Sequence, residues 1–129
     1  MGTVNKKYII RAKPDRVFDY LTHPLKIERW SGSSAEMDVK EGSTFSLWEG
    51  SIHGINRKIS RSQIVQDWKE KTWKDYSRVT MNLTAGDKKE ITELELIHEN
   101  IPEASVDSIN QGWDEYYFNP LIDLVENED

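Results

Sequence analysis

Three histidines, His23, His53 and His98, are the residues best suited to proton transfer or metal binding in this 129-residue sequence. They lie 30 and 45 residues apart and form no H-x-x-x-H or H-x-H pair, so no local metal site is expected. The chain has no cysteine, which removes thiol nucleophiles, zinc–thiolate sites, iron–sulfur clusters and disulfides. No G-x-S-x-G, phosphate loop or dinucleotide fingerprint occurs. No catalytic residue, metal or cofactor is therefore assigned.

Two ionisable residues stand out by strand alternation. His98 shares parity with Thr92, Leu94 and Leu96, so it should face the interior. There it would be a polar anchor in an apolar cavity or a proton acceptor; the alternative is a core-edge imidazole bonded to backbone. Glu49 follows Phe45 and Leu47 in phase and would point the same way, unless a strand end leaves it in water. Trp30, Phe45, Leu47, Trp68, Met81, Leu96, Trp113 and Tyr117, with Glu49 and His98, are the candidate lining of a ligand cavity. They would equally serve as solid core. Trp48 alternates out of phase with Phe45 and Leu47. It is expected on the outer face of the sheet, as a partner anchor or a cross-strand aromatic contact.

These side chains need a sheet and a helix to bring them together. Residues 4–11 read as a strand. Pro14, then Val17, Phe18 and Leu21, predict a short helix over 14–22, and His23-Pro24 ends it. Leu25, Ile27 and Trp30 predict a second, ending near Ser31-Gly32. From Met37 to about residue 100 the pattern is β: Met37–Val39, Phe45–Leu47, Ile52–Ile59 with Gly54 as a bulge or close-approach point, Ile64–Trp68, Tyr76–Thr84 and Thr92–His98. Ala85-Gly86-Asp87-Lys88-Lys89 is a loop. Ser108 and Gln111 suggest a capping box, with Ser105 as the alternative helix start. Val106, Ile109, Trp113, Tyr117, Leu121 and Leu124 then form one apolar stripe, as on a helix lying against a sheet. Gly112 within it implies another backbone passing close by, and Pro120 should kink or end the regular helix. The tail Glu126–Asp129 is expected to fray.

The order predicts an α+β fold: a curved antiparallel β-sheet wrapped around a long C-terminal α-helix, with two short helices after the first strand. One domain over residues 1–129 is expected, since the length supports one hydrophobic core. With 17 Lys plus Arg against 23 Asp plus Glu, the formal charge is -6. That works against nucleic acid and anionic membrane surfaces. Lys6, Lys7 and Arg11, or Arg57, Lys58 and Arg61, could still form local basic patches. No apolar run suits a signal peptide or a membrane span, and with the missing cysteines this suggests a cytoplasmic location.

The motifs Pro14-x-x-Val17-Phe18, Trp30, Gly42-x-x-Phe45-x-Leu47, Gly50-x-x-x-Gly54, Ile64-Val65-x-x-Trp68, Trp73 and Gly112-Trp113-x-x-Tyr116-Tyr117-Phe118 together resemble the C-terminal domain of the Hsp90 ATPase activator (Aha1) family, within the START and Bet v 1-like helix-grip superfamily. The resemblance runs from about residue 4 to about residue 125. It implies a helix-grip fold and a co-chaperone role with an Hsp90-type chaperone as partner. Eukaryotic Aha1 proteins carry a separate N-terminal domain that drives much of the ATPase stimulation; 129 residues are not expected to hold it, so the resemblance implies docking more than full activation. The superfamily also includes carriers of hydrophobic small molecules or lipids and a few enzymes. The expected function is chaperone binding, with a hydrophobic ligand in the sheet–helix cavity as the alternative.

Overall fold

The computed structural model describes residues 1–128. Strands β1 (Gly2–Ile10), β2 (Thr44–Leu47), β3 (Ile52–Ser60), β4 (Gln63–Glu70), β5 (Ser77–Ala85) and β6 (Thr92–Ile101) form one antiparallel sheet in the order β1-β6-β5-β4-β3-β2. β2 to β6 are a meander, and β1 returns to flank β6. Helices α1 (Pro14–Thr22) and α2 (Pro24–Ser31) follow β1 with the expected bounds. Each begins on proline, whose fixed φ and missing N–H suit a first helical turn. Gly32 closes α2 at φ 76°, a conformation that only glycine adopts without strain.

One face of the sheet is apolar. Leu94, Leu96 and His98 on β6, Val79, Met81 and Leu83 on β5, and Ile64 and Trp68 on β4 are all buried. Against them lies the C-terminal helix, built of α3 (Val106–Gly112), a π-helical segment (Trp113–Phe118) and α4 (Asn119–Asn127). Its fully covered stripe is Ile109, Trp113, Tyr117, Leu121 and Val125, with Phe118 beside it. Steps of four overshoot a regular α-helical turn by roughly 40° each, so four steps would swing the stripe by about 160°. The wider π turns take back part of that drift. The expected stripe ended on Leu124; the shifted phase leaves Leu124 and Val106 half-buried and seats Val125 instead. Pro120 supplies the local cause. It has no N–H to donate, and the preceding donor, Asn119, already reaches back five residues to Asp114.

Several expectations need correction. Met37 and Val39 are not in a strand: a lone bridge joins Glu36 to Ser46. The buried Asn56 amide takes the carbonyl of Asp38 at 3.2 Å, where a strand partner would otherwise sit. No capping box forms, because helical backbone already begins with a short turn at Glu103–Ser105 and Ser108 Oγ donates back to the Ser105 carbonyl. The tail does not fray through Glu128. Arg11 binds Glu126, while Arg16, Tyr20 and Arg29 all bond to Glu128. Asp129 lies outside the described residues.

Gly54 is a close-approach point, since a Cβ there would lie 1.8 Å from the Asp67 carbonyl oxygen and 2.8 Å from the Phe45 ring. The bulge itself falls between Asn56 and Lys58. Among the described residues no other segment's backbone comes within 4 Å of a Cβ placed at Gly112, whose nearest neighbour would be the Tyr116 ring at 3.8 Å.

Candidate functional site

β3, β4 and the α3–π junction do not close completely on one another. Between them lies a groove of about 420 Å³, open along one side, which is within the range of small-molecule sites. Trp68 and Ile52 form its sheet side, and Ile109, Trp113 and Tyr117 its helix side. Trp48 and the exposed Tyr116 stand at its mouth. Glu70, Ser51 and Ser108 supply its polar edge.

The aromatic wall is continuous. Trp68 packs on Trp113 with centroids 5.4 Å apart, Trp113 on Tyr117 at 4.7 Å, and Tyr117 on Trp30 at 4.6 Å. Such tilted and edge-on pairs suit the ring quadrupoles. The π segment bears directly on this wall, because it supplies Trp113, Tyr116 and Tyr117.

His98 sits behind the wall rather than in the groove. It is fully buried, and both ring nitrogens are engaged. Trp113 Nε1–H donates to Nδ1 at 3.0 Å, and Nε2 meets Ser77 Oγ at 2.7 Å. An indole nitrogen only donates, so Nδ1 must accept and the proton resides on Nε2. Ser77 in turn donates to the Trp68 carbonyl. Burial lowers the His98 pKa from 6.5 to about 3. The imidazole is thus a neutral strut joining the helix to two strands, with no free lone pair for proton transfer. His23 is spent on capping α2, and His53 packs edge-on to Tyr76.

Of the expected cavity residues, Trp68, Trp113 and Tyr117 come together around the groove. Trp30, Phe45, Leu47, Met81 and Leu96 are buried in the core and do not line it, Trp30 packing behind Tyr117. Two residues differ from expectation. Glu49 is exposed, and Trp48 reaches the groove mouth instead of the outer face. The reason is the same for both: strand alternation stops at Leu47. Trp48 and Glu49 take φ of 49° and 56° in a tight turn closed by Gly50 N–H donating to the Leu47 carbonyl. Trp48 Nε1–H then bonds the Ser31 carbonyl at 3.3 Å, and its ring lies edge-on to Tyr117. Left-handed backbone at a non-glycine costs about 1–2 kcal/mol per residue, and it is spent here on seating an indole beside the groove.

Sequence reasoning passed over Ile52, Glu70, Ile109 and Tyr116 as lining residues. Glu70 was within reach, as it shares parity with Ile64 and Trp68. Tyr116 was too, since Ile109, Trp113 and Tyr116 stand four and three residues apart, the spacing of one helix face.

The basic clusters are largely neutralised. Arg57 and Arg78 hold Asp67, Arg61 pairs with Asp15, Lys6 with Asp114 and Arg11 with Glu126. Burial pushes the Asp114 carboxyl up, but hydrogen bonds from Lys6 and Tyr8 outweigh it and hold the carboxyl below its ordinary value. This ties β1 to the π segment. Among the described residues, no helix is long and apolar enough to cross a membrane.

The chain is similar to known proteins along nearly its whole length. It is 30% identical over 114 residues to an activator of 90 kDa heat shock protein ATPase homolog from Dictyostelium discoideum, covering 86% of this chain and 30% of that protein. It is 25% identical over 119 residues to the Homo sapiens activator homolog 1, covering 92% of this chain and 35% of the relative. The chain thus spans about a third of the length of these relatives. The crystal structure of an Hsp90 activator from Plasmodium falciparum superposes with a TM-score of 0.86 at 31% identity, over 91% of both chains. The family described as activator of Hsp90 ATPase homolog 1-like protein matches residues 11–126. With that match over a six-stranded helix-grip fold, the chain belongs to the Hsp90 ATPase activator homolog 1-like family.

Proposed function

We propose that this chain is a non-catalytic binding domain that docks on an Hsp90-type chaperone in the cytoplasm. The reading rests on the likeness to the Plasmodium falciparum Hsp90 activator, which extends over 91% of both chains. The geometry agrees with a binding role: the most prominent imidazole is locked as a structural strut, whereas Trp48 and Tyr116 stand at an accessible apolar groove. Calorimetry of the purified chain against the Hsp90 of its own organism tests the reading. Heat of binding, with a change in the chaperone's ATP turnover, is expected. No heat at high micromolar concentration would sink it.

The groove favours a second reading, in which the chain carries a hydrophobic small molecule. Its roughly 420 Å³ and aromatic wall support that role independently of any chaperone.

A further inference from the structure

Two polar groups on the groove wall have no internal partner. Tyr117 is 5% exposed and Trp68 4% exposed, yet neither the Tyr117 hydroxyl nor the Trp68 Nε1–H makes a hydrogen bond among the described residues. Among the described residues no fully enclosed side-chain N or O atom lacks a partner, so both atoms reach an accessible surface, and the groove is the surface both residues line. By contrast, Trp113 Nε1–H, on the same wall, is committed to His98. Polar groups that reach a groove without a protein partner are completed there by water or by a ligand.

The charge of the lining narrows the ligand. Among the described residues Glu70 is its sole charged lining residue, and no Lys, Arg or His lines it. An anionic head group would meet a carboxylate and find no cation to offset its desolvation. The three indoles and two phenols at the groove present flat ring faces and edges.

We propose that the groove binds a neutral, planar, largely apolar molecule whose inner end carries a hydrogen-bond acceptor, such as a ketone or quinone oxygen, for the Tyr117 hydroxyl and the Trp68 indole. This deepens the small-molecule reading above and rests on it. The outer end of the ligand lies between Trp48 and Tyr116, next to the Glu70 carboxylate.

The test titrates the intact chain with a neutral naphthyl ketone dye, with a naphthalene sulfonate of the same ring size, and with oleate. The ketone dye should bind at one per chain with blue-shifted emission, and both anions at least about tenfold more weakly. Tyr117→Phe should weaken the dye about five- to tenfold, the loss of one hydrogen bond. Its unfolding midpoint should not fall, because the hydroxyl has no partner to lose. Anions binding as tightly as the dye would overturn the ligand class but leave a ligand groove standing. Failure of every probe to bind would overturn both. An unchanged dye affinity in Tyr117→Phe would overturn the assignment of the inner end.

Discussion

The indole N–H of Trp113 donates to Nδ1 of His98 across 3.0 Å, pinning the C-terminal helix to β6 from inside the core. Around that bond the imidazole touches three indoles, those of Trp68, Trp73 and Trp113, at centroid distances of 4.8, 6.4 and 5.7 Å. The polar chain continues through Ser77 to the backbone of β4, so one neutral network spans helix, β6, β5 and β4. A satisfied network of this kind gives the helix one preferred seat, because sliding along the sheet would orphan every member.

The burial of His98 makes stability depend on acid in a defined direction. The His98 pKa drops from 6.5 to about 3 on folding, so the unfolded chain binds the extra proton first. The stabilisation is complete above pH 6.5 and is lost as pH falls from there toward 3, at up to about 1.4 kcal/mol per pH unit. Urea unfolding at pH 7.5, 5.5 and 4.5 should show a progressive fall beyond that of a His98→Leu, Trp113→Phe double variant. Trp113→Phe alone orphans Nδ1 and should cost roughly 1–3 kcal/mol beyond its lost packing. Nitrogen NMR should find the Nε2–H tautomer unchanged down to pH 4.5. An imidazole titrating near 6.5 in the folded protein would refute the account.

Asp67 provides a second acid-sensitive point, on the opposite face of the sheet. Its Oδ2 accepts from Arg57 Nε at 2.6 Å, and its Oδ1 from Arg78 Nε and Nη2 at 3.1 and 2.9 Å. Burial pushes the carboxyl up, but the hydrogen bonds from Arg57 and Arg78 and their charge outweigh it, so it sits below its ordinary 3.8. A depressed carboxyl stabilises the fold above 3.8, and that stability is lost as pH falls below it. Both arginines are about half exposed, which screens the pair, so Asp67→Asn should cost only about 1 kcal/mol. Molar salt should shrink the difference between variant and parent. Equal stability at low ionic strength would show the pairs to be idle.

The helices, the meander and the inward face of β6 were legible because each rests on local periodicity: Pro14, Val17 and Leu21 for α1, Leu94, Leu96 and His98 for β6. The seat of Trp48 and the phase of the C-terminal helix were not, for two physical reasons. Alternation assigns Trp48 and Glu49 to opposite faces only while the backbone stays extended, and a positive-φ turn after Leu47 breaks that assumption. Likewise a 3.6-residue period selects Leu124, whereas underwinding between Trp113 and Phe118 resets the phase of the helix that walls the groove and selects Val125. The role of His98 needed coordinates too. Parity placed it indoors, but only the indole beside it fixes the tautomer and removes it from acid–base work.

The two glycines that alternation and helical spacing singled out should respond oppositely to alanine. At Gly54 the added methyl would lie 1.8 Å from the Asp67 carbonyl oxygen in the paired strand, where neither backbone can yield without breaking the β3–β4 ladder. Gly54→Ala should therefore destabilise by at least about 2–3 kcal/mol, the effect of a forced backbone shift in a packed core. Gly112 has ordinary helical torsions, φ −64° and ψ −33°, and its methyl would meet only the Tyr116 ring at 3.8 Å. Gly112→Ala should stabilise by about 0.5–1 kcal/mol through helix propensity and a less flexible unfolded chain. Because Gly112 lines the groove, the same methyl narrows it, so thermal stability should rise while affinity for the naphthyl ketone dye falls. A Gly112→Ala variant that gains stability and keeps full dye affinity would place the bound dye away from the α3–π junction. One that loses stability would mean the helix needs glycine there for a reason these contacts do not contain.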